Sequence, residues 1–299
     1  MLSVLIPVYN FDVRPLVQDL HQQATELEVP CEILCFDDGS EKTFHEINQE
    51  LEQLPLVRYR QLRENKGRAG IRNLLAGQAR YDYLLFMDGD SKVVRGDYLQ
   101  AYIDQLPTDA VLCGGRVYQN EPPVAPQLLF HWWYGKNREA IPRRQRAENS
   151  HHGFMTNNFL IPKKQFLKLL FDENIRQYGH EDTLFGFQLK QKGIDIVHLD
   201  NPLEHIGLEK NAVFLHKSKL AVENLVLLKR KYPELETRLV RSWQWLKKWN
   251  LTFPARILLK SLRPFFIKNL KGKRPKLFFF DLLKLSYYLE YEAHYSTRK

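Results

Sequence analysis

Cysteine is scarce in this sequence, with three residues in 299. Cys31, Cys35 and Cys113 are odd in number, sit in apolar runs and show no metal-ligand spacing. That excludes a disulfide scaffold and a zinc ribbon, and it fits a reduced, intracellular protein. Long apolar runs are missing too: none that is uncharged approaches the roughly 20 residues of a membrane-spanning helix. The opening MLSVLIPVYNFD has no basic leader and too short an apolar stretch for a signal peptide, so it reads as a first strand. No G-x-G-x-x-G follows that strand and no G-x-x-x-x-G-K-[ST] occurs anywhere, so dinucleotide-dependent redox chemistry and P-loop phosphoryl transfer both lose ground. Internal repeats and low-complexity linkers are also lacking. What is present is ordinary globular composition, 44% hydrophobic and 26% charged, in a chain long enough to bury a sizeable core without disulfides.

The net charge of +9 is unevenly placed. Residues 1–240 carry 30 Lys and Arg against 32 Asp and Glu, whereas residues 241–299 carry 14 against 3. Thirteen aromatics are interleaved with that basic tail, among them Trp243, Trp245, Trp249, Phe265, Phe266 and Phe278–Phe280. Such a segment faces anionic lipid or nucleic acid, or caps a fold with solvated charges. In 253–270, Leu258, Leu262, Phe265 and Phe266 fall at helical spacing among Arg256, Lys260 and Arg263, and a basic cluster of Lys271, Lys273, Arg274 and Lys276 follows. The arrangement suits a helix lying in a membrane interface, and equally a helix packed on the rest of the chain.

The first 115 residues alternate strand-like and helix-like segments: strands at 2–8, 32–36, 57–61, 83–87 and 110–113, helices at 13–27, 44–54 and 67–79. That rhythm predicts an α/β fold with a mostly parallel central sheet flanked by helices, in which ligands bind beyond the carboxyl ends of the strands. A less regular middle follows, with an aromatic run at Trp132, Trp133 and Tyr134 and a basic loop at Arg143, Arg144 and Arg146. The aromatics suit stacking on a sugar or core packing, and the arginines suit a closing loop or exposed surface. A helix is expected at 182–192 and a strand at 194–199. Beyond Asn211 the pattern turns helical, and Pro254, Pro264 and Pro275 are expected to divide it into short pieces.

Polar residues gather at the expected strand ends. Asp88-Gly89-Asp90 can hold a hard divalent cation that also touches a diphosphate, although a plain Asp-Gly turn has the same letters. In Asp37-Asp38-Gly39-Ser40 an aspartate can accept from a nucleobase, or Ser40 can simply cap the next helix. The segment Asn65–Asn73 opens a helix with glycines and Arg72, which suits phosphate or ordinary solvated surface. Tyr178-Gly179-His180-Glu181-Asp182 leads into another helix, where a carboxylate can serve as general base or merely complement the helix dipole. Glu204-His205-Ile206-Gly207 follows a strand and offers a histidine that a cation can recruit.

Taken in order, Ile6-Pro7-Val8-Tyr9-Asn10, Asp37–Ser40, Asn65–Asn73, Asp88-Gly89-Asp90 and Gly179–Asp182 with Phe185-Gly186 resemble the motifs of the family 2 glycosyltransferases. The resemblance implies a GT-A nucleotide-binding fold over 1–210, with 211–299 as a helical, basic and aromatic extension. It implies that Pro7, Tyr9 and Asp38 line a nucleotide pocket, with Asp37 as the other candidate for the base contact. Arg72 would lie near the diphosphate, Asp88 at the ribose or metal, and Asp90 on a Mn²⁺ or Mg²⁺ that His205 also approaches. Asp182 would be the catalytic base, with Glu181 beside it.

The implied activity is single-addition, inverting, hexosyl transfer from a nucleotide-diphosphate sugar, most often a UDP-sugar, to a glycan or lipid-linked hydroxyl. Such a protein would be cytoplasmic, or peripheral on the cytoplasmic membrane face through its tail. Ile71 departs from the alanine usual before the arginine, and Gln244-Trp245-Leu246-Lys247-Lys248 only approximates the Q-x-x-R-W of processive synthases. Two other classes compete. A sugar nucleotidyltransferase would carry a glycine-rich phosphate loop where Pro7-Val8-Tyr9-Asn10 stands. A non-catalytic nucleic-acid-binding protein would explain the basic tail but not the acidic positions before it, so no nucleic-acid partner is expected.

Overall fold

Strand β1 (Leu2–Val8) shows why this chain folds as a layered sheet. Val4, Ile6 and Val8 point into one apolar cluster and Leu5 into another, the period-two pattern of a strand buried on both faces. The computed structural model, describing residues 1–175 and 179–297, continues with α1 (Arg14–Glu26), β2 (Cys31–Asp37), α2 (Lys42–Asn48), β3 (Val57–Gln61), α3 (Gly67–Gln78) and β4 (Tyr83–Met87). Then come β5 (Ser91–Val93), α4 (Tyr98–Ile103), β6 (Val111–Cys113), β7 (Arg116–Val117), α5 (Leu129–Tyr134), a π-helical turn at Gly135–Glu139, and α6 (Arg143–Ala147). The rest is β8 (Asn158–Pro162), α7 (Lys163–Leu169), α8 (Glu181–Gln191), β9 (Ile196–His198), β10 (Leu203–His205) and the helices α9 (Asn211–Lys231), α10 (Arg238–Lys248), α11 (Thr252–Leu270) and α12 (Leu277–Ser296).

Seven strands form one sheet in the order β3-β2-β1-β4-β8-β6-β9. All its pairings are parallel except those of β8, which runs antiparallel to β4 and β6. Leu16, Val17 and Leu20 of α1 and Tyr98, Leu99 and Tyr102 of α4 cover one face. Ile71 and Leu75 of α3, Phe166 of α7, and Phe185 and Leu189 of α8 cover the other. All three cysteines are buried and free. A second sheet has the order β5-β10-β7, and in it His205 pairs with Ser91 across an antiparallel ladder. That small sheet carries the end of the chain's long α/β run back beside the residues that follow β4.

The chain divides into two compact units. One comprises Met1–Gln119, Arg138–Arg176 and Glu181–Gly207, and holds both sheets. The other comprises Asn120–Asn137, Gln177–His180 and Leu208–Lys299, and its core includes Phe130, Phe214, Leu259, Phe266, Leu270 and Phe280. Residues 120–137 thus group with the C-terminal helices, where sequence places them inside the 1–210 segment.

Two local expectations are corrected and a third is refined. The prolines do not cut the tail into short helices: Pro254 lies in the first turn of α11, where its missing N–H is harmless, and α11 runs on through Pro264 to Leu270, leaving only Pro275 in a break. The helix expected at 44–54 ends at Asn48 and gives way to a 3₁₀ turn over Gln49–Gln53. His205 follows β9, the strand expected at 194–199, and itself closes a further short strand, β10, that periodicity did not signal.

Candidate active site

The loops at the carboxyl ends of β1, β2 and β4 are tied to one another by short polar contacts. The Asn10 amide donates to Ser40 Oγ at 2.8 Å and Asn10 Oδ1 accepts from the Glu41 amide at 2.8 Å. Asp37 is fully buried; its Oδ1 accepts from the Ser40 amide at 2.7 Å and its Oδ2 from the Tyr59 hydroxyl at 2.6 Å. Asp38 turns to the start of α3, where Oδ1 accepts from the Lys66 amide at 2.7 Å and Oδ2 from the Gly67 amide at 3.0 Å. Both carboxylates therefore shape the loops, Asp37 as an internal brace and Asp38 as a cap on orphan amides of a helix N-terminus. Tyr9 stands 57% exposed above them and Pro7 is half-buried.

After β4 the chain makes a tight corner. A Cβ on Gly89 would come 3.0 Å from Val13 Cγ1 and 3.1 Å from the Pro7 carbonyl oxygen, so glycine lets this corner lie against the end of β1. The two aspartates flanking it differ. Asp88 is gripped by two guanidiniums: Arg72 Nη2 donates to Oδ1 at 2.6 Å and Arg116 Nη2 to Oδ2 at 3.3 Å. Arg116 in turn donates through Nη1 to Glu139 Oε2 at 2.9 Å, and the Tyr118 hydroxyl donates to the same oxygen. The Nε groups of Arg72 and Arg116 are buried without a hydrogen-bond partner, so each arginine keeps donor capacity.

Asp90 has no guanidinium on it. Its Oδ1 is shielded from solvent and accepts no hydrogen bond, while His205 Nδ1 lies 3.5 Å away. The β5–β10 ladder sets this distance, and the Ile206 amide donates to the Asp90 carbonyl at 3.0 Å. Tyr118 packs edge-on against the His205 ring at 5.3 Å. A Cβ on Gly207 would stand 2.5 Å from Asp90 Oδ2, so only glycine leaves the carboxylate its place. Burial pushes the Asp90 carboxyl up, but His205, Arg116 and Arg68 outweigh it and hold the group down to about 2.

The third piece is the start of α8, entered through Gly179 and His180, both at positive φ (94° and 67°); Tyr178 lies outside the described residues. Burial works against charge on Glu181, but Arg68 and Arg72 prevail and keep its carboxyl below the usual range; Arg68 Nη1 reaches Glu181 Oε1 at 3.2 Å. Asp182 goes the other way. Burial, and then the charge on Glu181, push it up to about 6, against the opposing pull of the Thr183 amide, which donates to Oδ1 at 2.6 Å. Two neighbouring carboxyls are thus separated, one ionised by arginines and one poised near neutrality.

Among the described residues no three His, Cys, Asp or Glu side chains converge as a complete metal site. The donor set suits a hard cation nonetheless: an anionic oxygen lacking a hydrogen bond, an imidazole beside it, and arginines nearby for a diphosphate that completes the shell with its own oxygens.

Sequence reading missed Arg116, Tyr118 and Glu139. Arg116 was signalled by Gly114-Gly115 just past β6, a paired-glycine strand exit of the kind that lets backbone approach closely; Glu139 had no such flag. Among the basic loop residues, Arg146 is buried and donates to the carbonyls of Cys113, Gly114, Ile141 and Leu199, so it braces the fold. In the aromatic run Trp132 is buried and Tyr134 packs on Phe214 and Phe280, while Trp133 is exposed.

Residues 3–168, more than half of the chain, match the family model described as Glycosyl transferase family 2. The chain belongs to this family. It is 26% identical over 241 residues to the uncharacterized glycosyltransferase YfnE of Bacillus subtilis (strain 168), covering 64% of this chain and 61% of that protein. It is 24% identical over 226 residues to the chondroitin synthase of Pasteurella multocida (strain Pm70), covering 64% of this chain and 23% of that protein. The chain thus spans less than two thirds of the length of these curated relatives. Among solved structures, the mannosyltransferase PcManGT from Pyrobaculum calidifontis, in complex with GDP-Man and Mn²⁺, has a TM-score of 0.58 at 14% identity, covering 99% of this chain and 86% of that one. S. aureus TarS 1–349 has a TM-score of 0.51 at 19% identity, covering 100% and 92%. These likenesses are of fold: a GT-A-like α/β sheet flanked by helices, with a C-terminal helical extension.

Proposed function

We propose that this family 2 member transfers a hexose from a nucleotide-diphosphate donor to a hydroxyl acceptor, one sugar at a time and with inversion at the anomeric carbon. The observation that carries the reading is the Asp90–His205 corner, an ionised, unsatisfied carboxylate oxygen beside an imidazole with Arg116 and Arg68 in its field. Asp90 and His205 are the residues to hold Mn²⁺ or Mg²⁺; a cation there would offset the charge that builds on the departing diphosphate. Asp88 serves a different end in this reading, fixing Arg72 and Arg116 so that their remaining N–H groups face the diphosphate without paying reorganisation cost at the moment of transfer. Pro7, Tyr9 and Asp38 line the base in this reading, with Asp37 the other candidate for the base contact.

Asp182 takes the proton from the attacking acceptor hydroxyl. A base works best when its pKa lies near the operating pH, and the elevated Asp182 carboxyl meets that condition where an ordinary aspartate would not. Glu181, held ionised by Arg68, keeps it elevated. A UDP-sugar is the first donor to test, because S. aureus TarS 1–349 has a solved complex with UDP, and GDP-mannose is the second, because PcManGT has one with GDP-Man.

The acceptor is a glycan or lipid-linked hydroxyl, in glycan or polysaccharide biosynthesis. The catalytic role falls to 1–210, and the protein works in the cytoplasm or on the cytoplasmic membrane face. Among the described residues no helix is long and apolar enough to cross a membrane. The test is a panel of UDP- and GDP-sugars with Mn²⁺, read first by thermal shift and then by nucleotide release. One donor should raise Tm and release nucleotide with an acceptor present; a panel without any response overturns the reading.

A further inference from the structure

The basic tail has an outward face that a solvated helix would not carry. Between Glu236 and Asp281 lie twelve Lys and Arg and not one acidic residue. Within that stretch α11 packs on α12: Leu259, Phe266 and Leu270 are buried, Lys260 Nζ reaches Glu290 Oε1 at 2.9 Å, and Arg263 Nη1 reaches Glu290 Oε2 at 2.5 Å. One side of the helix is thereby accounted for. The opposite side should be polar. Instead Phe253, Ile257, Leu258 and Phe265 recur there at helical spacing, each between 56 and 62% exposed. Trp245 of α10 is 58% exposed and Trp249, just beyond it, 60%. Of the twenty large apolar residues exposed among the described residues, nine fall in 245–278.

We propose that this face docks on a membrane surface containing anionic lipid, with Phe253, Ile257, Leu258 and Phe265 inserted at the level of the acyl-chain boundary. The inference goes beyond the donor and base assignments and does not depend on them. Charge decides the occupant. Even with Lys260 and Arg263 taken up by Glu290, two copies of a stretch so rich in cations and without an acidic residue of its own would repel each other, and a nucleic acid would meet the cations but leave the aliphatic side chains in water. An anionic bilayer satisfies both sets at once, apolar groups in the interface and Lys and Arg at the headgroups. Exposed Trp at two positions matches the residue type that favours this boundary. A mostly apolar groove of about 480 Å³, lined by Trp245, Leu246 and Leu285 with Arg238, Arg241 and Ser242, lies in the same helical unit. Phe266, which spacing alone would also place in the lipid, is buried in the helical core instead.

The experiment is sedimentation of the full chain with vesicles, which needs neither donor nor turnover, so its failure and that of the transferase reading are told apart. Vesicles of equal parts phosphatidylcholine and phosphatidylglycerol should pellet the protein, and vesicles of phosphatidylcholine alone should pellet at least tenfold less. The triple variant Phe253→Ser, Ile257→Ser, Leu258→Ser should lose at least tenfold in partitioning, with Tm little changed because all three side chains are more than half exposed; Phe265 is left in place because it packs edge-on against Phe279. The variant Lys273→Glu, Arg274→Glu should lose binding to the anionic vesicles to a similar degree. On binding, the fluorescence of the exposed tryptophans should shift to the blue. Wild-type protein left in the supernatant with anionic vesicles overturns the proposal. So does a triple variant that still pellets like wild type, or a lipid-free dimer that the triple variant abolishes, which would make the face a contact between copies of this chain.

Discussion

Replacing Asp182 by Asn should make the protein more stable and nearly inactive at once. Folding lifts this carboxyl from an ordinary value of 3.8 to about 6. An acid whose pKa rises on folding binds its proton more tightly in the native state, so native stability falls as pH climbs from about 4 to about 6 and stays reduced above that. At 1.36 kcal/mol per pKa unit, the charged side chain costs the fold about 3 kcal/mol at most at pH 7. Asparagine removes that charge, and its amide oxygen can still accept from the Thr183 amide that Asp182 Oδ1 now holds at 2.6 Å. Urea denaturation at pH 7 should therefore show Asp182→Asn more stable than wild type, with the difference vanishing near pH 4. Nucleotide release should fall by roughly a hundredfold or more, as when a general base is lost. In the wild type, turnover should rise with pH as the base ionises, from about a tenth of its plateau at pH 5 to about nine-tenths at pH 7. A folded Asp182→Asn variant that turns over normally, or one less stable than wild type at pH 7, would refute the reasoning.

Arg116→Met strands Glu139 with Tyr118 as its remaining partner and should cost about 3 kcal/mol in urea unfolding, with part of the loss recovered by adding Glu139→Gln. Gly207→Ala puts a methyl group where Asp90 Oδ2 lies, and should weaken Mn²⁺-dependent UDP binding about tenfold or more in calorimetry while leaving metal-free binding unchanged. Tyr59→Phe removes the hydroxyl that donates to buried Asp37 Oδ2 and should lower stability by about 1–3 kcal/mol, measured by thermal unfolding.

Much of the fold is legible in the sequence because the strands of the main sheet are buried on both faces. Leu2–Val8 and Tyr83–Met87 are apolar runs with a polar cluster at one end, and burial explains both the run and the cluster. Strand β8 escaped notice for the opposite reason: Asn158–Pro162 begins with an asparagine and ends with a proline, and its place between β4 and β6 is fixed by long-range pairing. Three-residue strands such as β5 and β10 carry no periodicity at all, yet they bring His205 to Asp90. The same limit hid Glu139, which lies 23 residues beyond Arg116 in a π-helical turn and meets it only through the fold. In the tail, spacing located α11 but could not say which apolar residues face α12 and which face outward.

The corner formed by Asp90 and His205 is where a cation would tie the nucleotide to the protein. Titration of UDP into the protein by calorimetry, with and without Mn²⁺, for wild type and for Asp90→Ala, tests it directly. Wild type should bind UDP at least about tenfold more tightly when Mn²⁺ is present, and Asp90→Ala should bind with the same, weaker affinity in both conditions. Equal UDP affinity for wild type with and without Mn²⁺, or a full Mn²⁺ response retained by Asp90→Ala, would contradict the account.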